Sequence, residues 1–192
     1  MIVDPSPNSQ KRRYFVVTIL GRPLVLMLVL RFAHVFFGAL WVGMMAFQVF
    51  FLMPALAEVG PDAGKVMGAM MKRRIPVIMP IIALITIVSG MWLLMRMSGG
   101  NMGALMATPM GQAFGWGGVI ALIAFLIGIV VMRPAMLRSM KLMEAMASAP
   151  QAERAAMQAE IQSLRVRGAV LGKVVAWMLL LTLAVMAVAR YV

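Results

Sequence analysis

Cysteine is absent from this 192-residue chain, and histidine and carboxylates are scarce. Without cysteine the chain has no disulfide, no thiolate metal ligand and no thiol nucleophile. His34 is the only histidine, which excludes any site that takes two imidazoles from one chain. All six acids lie outside the long apolar segments; they are Asp4, Glu58, Asp62, Glu144, Glu153 and Glu160. The lack of a membrane carboxylate argues against an ion-coupled pump, and the lack of a catalytic cluster argues against ordinary hydrolysis.

Long apolar runs are abundant. Hydrophobic residues make up 63% of the chain, charged residues make up 12%, and the mean hydropathy is +0.95. About 20 apolar residues cross a bilayer as a helix, and the charge-free runs 32–57, 75–95 and 97–132 are long enough. The shorter run 174–189 suffices if Lys173 extends its ammonium to the headgroups. We predict an all-α integral membrane four-helix bundle with spans at about 24–53, 75–96, 111–133 and 168–190.

The chain divides into a polar tail with an interfacial segment at 1–22 and a membrane domain at 23–192. Between spans three and four, residues 135–147 and 150–167 carry the pattern of amphipathic helices outside the membrane. Spans one and three end in similar proline-containing stretches, 51–56 and 131–137. Two explanations account for this similarity. The four spans are a duplicated pair of helices, or the two stretches became similar independently because both end a helix.

The formal net charge is +12, and we expect these cations to meet anionic lipid headgroups rather than nucleic acid. Of the 18 lysines and arginines, 11 lie in the loops that join spans one and two and spans three and four, or at the span ends beside them. They are Lys65, Lys72, Arg73, Arg74, Arg133, Arg138, Lys141, Arg154, Arg165, Arg167 and Lys173. The positive-inside rule then predicts both termini outside, although the basic cluster before span one favours the opposite orientation.

His34 lies about one turn after Arg31, near the start of the charge-free run 32–57, and is the main candidate for a binding site. The residues that share its helix face are Arg31, Gly38, Trp41, Met45 and Gln48. This stripe is more polar than the rest of the helix, so we expect it to face the bundle interior. Gly38 leaves room for a flat ligand such as a porphyrin, or for another helix. A histidine that only hydrogen-bonds to a neighbouring helix is the equally supported alternative.

The 23 methionines are the second unusual feature. Met132, Met136 and Met140 recur at four-residue steps, and a row of thioethers can bind Cu(I). His34 with these three methionines therefore forms the candidate metal-ligand set. Methionine as a flexible packing residue is the competing interpretation, and the charge of Arg133 would repel a cation beside the row.

The stretch 31–43, RFAHVFFGALWVG, resembles the first helix of the copper-resistance D family, in which a histidine precedes Trp-x-Gly. The membrane part of bacterial urate oxidases and the four-helix protoporphyrinogen oxidases look similar. The stretches 71–80 and 89–94 resemble the second helix of these proteins, so the similarity covers residues 31–95. It implies haem b or copper near His34 and a multi-pass protein of a bacterial inner membrane. A methionine or a partner chain would then supply any second axial ligand.

Three functions are consistent with these features. The first is a non-enzymatic membrane protein that binds haem or copper at His34. The second is an accessory subunit of a larger membrane complex, or a homo-oligomer, because glycines that permit close helix packing recur at four-residue spacing. These are Gly64 and Gly68, Gly111 and Gly115, and Gly168 and Gly172. The third, a haem-pathway oxidoreductase, is implied by the resemblance alone.

Overall fold

Four long helices dominate residues 23–191, which are the residues that the computed structural model describes. They are Leu24–Val59, Ile75–Ser98, Pro109–Met146 and Gln151–Val188, and each is long and apolar enough to cross a membrane. No strand occurs within residues 23–191. The predicted all-α membrane helix bundle is confirmed. The predicted polar tail and interfacial segment at 1–22 lie outside the described residues.

We number the α-helices in chain order. They are α1 (Pro23–Phe47), α2 (Met53–Val59), α3 (Ala63–Lys72), α4 (Ile75–Ser98), α5 (Met102–Met106), α6 (Pro109–Leu126), α7 (Arg133–Met146) and α8 (Gln151–Val188). A π-helical turn, Gln48–Leu52, joins α1 to α2, and a second, Ile127–Met132, joins α6 to α7. The first and third long helices are therefore continuous through these turns.

The four spans form a square in which α1 packs against α4 and α8, and α6 packs against the same two helices. Because the spans alternate in direction, the start of α1, the short helix α5 and the end of α8 share one end of the bundle, here called the terminal end. Helices α2, α3 and α7 and the first turns of α8 lie at the opposite end, here called the hairpin end. This arrangement decides which loops share a membrane surface.

Small side chains make the centre of the bundle. Ala83, Ala124 and Ala176 are almost completely buried, and the ring of Trp41 meets that of Phe125 edge to face at 6.5 Å. Lipid is as apolar as the core, so close van der Waals contact rather than hydrophobic transfer holds such helices together. Gly172 is one point of close approach, since a Cβ there would lie 3.3 Å from Val49 Cγ2.

The other glycines of the predicted small-residue pairs make different contacts. Gly111 and Gly115 lie against α5 and the side chain of Met106. A Cβ at Gly64, Gly68 or Gly168 would have no neighbour within 4 Å. Besides Gly172, tight packing between spans therefore uses glycines that the four-residue spacing did not single out, namely Gly38, Gly90 and Gly117.

The π-helical turns accommodate Pro54 and Pro134. Proline has no N–H to donate and clashes with the carbonyl one turn earlier. In both helices the residue before the proline donates instead to a carbonyl five positions back: Met53 N–H to Gln48 O, and Arg133 N–H to Gly128 O. The wider turn lets each helix continue past its proline into α2 or α7.

Helix α8 has 38 residues and is about 57 Å long, nearly twice the thickness of a bilayer core. Its first half and α7 form an antiparallel hairpin in which Arg138 Nε donates to Glu160 Oε1, while Arg165 Nη2 lies 3.4 Å from Met143 Sδ. The two amphipathic segments predicted between spans three and four are therefore helical, and each is continuous with a span.

Candidate functional site

His34 lies on the face of α1 that packs against α4. Its Nδ1 is 2.8 Å from the backbone carbonyl oxygen of Thr86, across the helix pair. A carbonyl can only accept a hydrogen bond, so Nδ1 carries the proton and donates. In the neutral imidazole, Nε2 then keeps its lone pair. The contact fixes both the orientation and the tautomer of the ring, and it leaves Nε2 as the nitrogen that can bind a ligand.

Gly90 makes the room for this imidazole. A Cβ at position 90 would lie 2.5 Å from His34 Cε1 and 2.8 Å from Nδ1, closer than real Cβ atoms approach. Gly90 is one turn beyond Thr86 on α4, so the ring lies over a bare stretch of helix between them. Any side chain at position 90 would force His34 away from the Thr86 carbonyl.

The rest of this part of α4 satisfies its own polar groups. Thr86 Oγ1 donates to the Ile82 carbonyl at 3.0 Å. Ser89 Oγ is 2.6 Å from the Ile85 carbonyl and 3.1 Å from the Thr86 carbonyl. These hydroxyls are buried and serve the backbone of α4, so they do not compete with His34 as ligand-binding groups.

The other residues of the predicted stripe divide into two groups. Gly38, Trp41 and Met45 face the bundle interior, as expected, but protein fills the space beside them. A Cβ at Gly38 would be 3.3 Å from Thr86 Cγ2, so α4 rather than a ligand occupies the room that this glycine leaves. Trp41 and Met45 are core residues, 5% and 8% exposed. A porphyrin at His34 would therefore not lie along the stripe.

Arg31 and Gln48 lie apart from this interior group. Arg31 is exposed at the edge of a shallow apolar depression on the outer face of α1. Two stacked rings, Phe32 and Phe36, lie in the same depression with their centroids 5.4 Å apart. Gln48 is half-buried in the π-helical turn, about 21 Å along the helix axis from His34.

The methionine row does not meet His34. Met132 packs against the core beside Gly172, and Val49 lies against the same glycine. Because Val49 is 15 residues after His34, the two sites are about 22 Å apart along α1. Met136 and Met140 are half-buried on α7, still farther toward the hairpin end. Thus His34 and these methionines are not ligands of one ion, and residues 23–191 contain no cluster of three or more His, Cys, Asp or Glu side chains that could hold a metal.

Sequence reasoning missed Thr86 and Gly90, the two residues that position His34. Their four-residue spacing on span two was a usable signal, because Thr and Gly one turn apart form a small, polar groove on a membrane helix. A search restricted to pairs of glycines overlooks it. Which helix faces His34 depends on how the four helices assemble, and the sequence of span one does not indicate it.

No protein-family model, curated protein or solved structure matches the chain. Any inference of function therefore starts from the geometry around His34.

Proposed function

We propose that this polytopic membrane protein binds haem b, which His34 would hold through its Nε2. The supporting observation is the 2.8 Å contact between His34 Nδ1 and the Thr86 carbonyl. Histidines that bind metals commonly donate their other ring N–H to a carbonyl or carboxylate, which fixes the tautomer and makes the ligating nitrogen more basic. His34 already has this arrangement within the bundle.

The number of available ligands favours haem over a bare copper ion. A copper site needs several protein ligands, and residues 23–191 bring only one imidazole and no thiolate or carboxylate to this position. Haem supplies four equatorial nitrogens itself and needs only one or two axial side chains. Any second protein ligand would come from a methionine or a partner chain, because His34 is the only histidine.

Each neighbouring residue has a role in this proposal. The Thr86 carbonyl orients the imidazole, Gly90 leaves the space for it, and the side chain of His34 is half-buried rather than enclosed in the core. Arg31, one turn nearer the terminal end and exposed, is the cation available to a propionate. Bound haem would supply one-electron redox chemistry. The spans carry no carboxylate for proton transfer, so we propose a binding or electron-transfer role without substrate turnover.

The α7–α8 hairpin favours a second function, that of an accessory subunit. This hairpin extends beyond the span region and carries cations of both helices, including Arg138, Lys141 and Arg154. A projecting basic hairpin offers a docking surface to a larger, acidic membrane complex. The two functions are compatible, because the hairpin and His34 lie at different ends of the bundle.

The test is an absorption spectrum of the protein purified in detergent with haem supplied during expression, recorded before and after reduction with dithionite. We expect a Soret band that shifts on reduction, disappears in His34→Ala and returns when imidazole is added to that variant. Phe114→Ala, which removes a half-buried ring from α6, is the matched control and should keep the band. A wild-type spectrum without a Soret band, or an unchanged band in His34→Ala, contradicts the proposal.

A further inference from the structure

Helix α3 is amphipathic and is only partly covered by protein. Val66, Met67, Met70 and Met71 share one side of this ten-residue helix, and Lys65 and Lys72 lie on the other. No residue of α3 is buried, and Val66 is 42% exposed. Met67, Met70 and Met71 are half-buried, so the remainder of this apolar side would face water unless something else covers it.

The place of α3 in the chain indicates what covers it. The helix connects the end of the first long helix to the start of α4, so it lies where two spans leave the bilayer. A short helix with apolar residues on one side and lysines on the other is typical of a segment that lies in the plane of the membrane interface. The acyl chains then cover the methionine side, and the lysines extend toward the headgroups.

Three consecutive cations follow at the end of α3. Lys72, Arg73 and Arg74 are all exposed. Arg74 adopts a left-handed backbone conformation (φ 57°), so the chain changes direction between α3 and α4. Within residues 23–191, none of the three forms an ion pair, whereas the nearby acid Asp62 is held by Lys65 at 2.6 Å. The turn therefore presents three uncompensated positive charges at the membrane surface.

We propose that α3 and the Lys72–Arg74 turn form a binding site for anionic phospholipid headgroups, with α3 lying in the interface. Guanidinium and ammonium groups complement a lipid phosphate, and anionic lipid attracts such clusters strongly near the surface. The proposal is independent of haem binding, because the site lies at the hairpin end and His34 lies toward the terminal end.

Headgroup binding is tested by titrating phosphatidylglycerol or phosphatidylcholine into the full-length protein in detergent. Wild type should bind phosphatidylglycerol more tightly, and less so as salt rises. The triple variant Lys72→Gln/Arg73→Gln/Arg74→Gln should raise the apparent Kd for phosphatidylglycerol about tenfold or more. The matched control, Lys141→Gln/Arg154→Gln/Arg165→Gln, removes the same charge from the hairpin and should change Kd less than about twofold. Equal affinity for the two lipids, or equal loss in both triple variants, overturns the proposal.

The orientation of α3 is tested separately, and the cysteine-free chain makes single labels simple to place. A fluorophore on Val66→Cys should be quenched by brominated acyl chains in vesicles. The same fluorophore on Gly68→Cys, on the opposite side of the helix with no neighbouring side chain, should be quenched much less. Equal quenching at the two positions would show that α3 does not lie in the interface.

Discussion

At the scale of single residues, the site depends both on the imidazole of His34 and on the absence of a side chain at Gly90. His34 gains its fixed orientation from the Thr86 carbonyl only because Gly90 presents no Cβ. In a membrane span the alternative to this hydrogen bond is an unpaired polar ring against lipid or packed side chains, which costs free energy. The glycine is therefore as necessary to the arrangement as the histidine.

Gly90→Ala tests this dependence. The added methyl group collides with the imidazole, so we expect loss of the contact to Thr86 and destabilisation by about 1–3 kcal/mol. Gly43→Ala is the control, because Gly43 is exposed on α1 with nothing within 4 Å of its missing Cβ, and it should stay within about 1 kcal/mol of wild type. Unfolding in detergent, followed by circular dichroism, measures both.

The tautomer can be observed directly, since a single histidine gives a single set of imidazole ¹⁵N signals. Wild type and Gly43→Ala should show a protonated Nδ1, and Gly90→Ala should lose that preference. A Gly90→Ala protein with unchanged stability and an unchanged tautomer would contradict the role assigned to this glycine.

The predicted helix face of His34 was right, but the partner across it was not predictable. Periodicity in span one placed His34, Gly38, Trp41 and Met45 on the interior side, because one helix's pattern records which face avoids lipid. Which residue of α4 lies opposite depends on the vertical register of two helices, and no local pattern encodes it. Arg31 departs from the stripe because a charged side chain near a helix end turns outward.

At the scale of helices, α7 and α8 are continuous with spans three and four. A polar contact between Arg138 and Glu160 joins them outside the spans. The proline-containing stretches were expected to end spans one and three, but the π-helical turns before Pro54 and Pro134 keep each helix continuous. The presence of proline alone does not predict this continuity, because a π-helical turn can form backbone hydrogen bonds where an α-helical turn cannot. The hairpin is thus attached to spans three and four by uninterrupted helix.

Arg138 and Glu160 make the stability of this hairpin dependent on pH. The hydrogen bond from Arg138 lowers the pKa of Glu160 below its ordinary value of 4.5. The carboxylate therefore stabilises the folded hairpin at pH values above 4.5, and this contribution is lost as the pH falls through the lower folded-state pKa. We expect acid to loosen the hairpin slightly, because both partners are exposed.

Spin labels on Ala145→Cys and Ala152→Cys measure this effect, with one label on each helix. The distance distribution should broaden between pH 7 and pH 3 in wild type, and Glu160→Gln should be broad at both pH values. Glu153→Gln is the control, since Glu153 forms no ion pair within residues 23–191. Identical titrations of wild type and Glu160→Gln would exclude the ion pair as the cause.

At the scale of the whole molecule, the two halves share some features and differ in others. Gly38 of α1 packs on Thr86 of α4, whereas Gly117 of α6 packs mainly on Met186 of α8, with Thr182 beside it. Each half also has a π-helical turn before a proline at the hairpin end. Duplication of a two-helix unit and convergent helix-end chemistry both account for the proline turns, and the imidazole site occurs in the first half only.

Even numbers of spans place both termini on one side of the membrane, and charge indicates which side. The hairpin end carries 11 of the 18 lysines and arginines, and within residues 23–191 it also carries every acid. Cations in short loops are retained on the cytoplasmic side, and acids contribute little to this preference. We therefore expect the hairpin end inside and both termini outside, which would place His34 nearer the outer surface.

Cysteine labelling in intact cells tests this orientation, because the natural chain contributes no background. Ala104→Cys in α5 marks the terminal end, and Ala147→Cys after α7 marks the hairpin end; both positions are exposed. A membrane-impermeant maleimide should label Ala104→Cys directly and Ala147→Cys only after permeabilisation. The reverse pattern would mean that the basic cluster preceding span one, rather than the charge of the two hairpin-end loops, determines the topology.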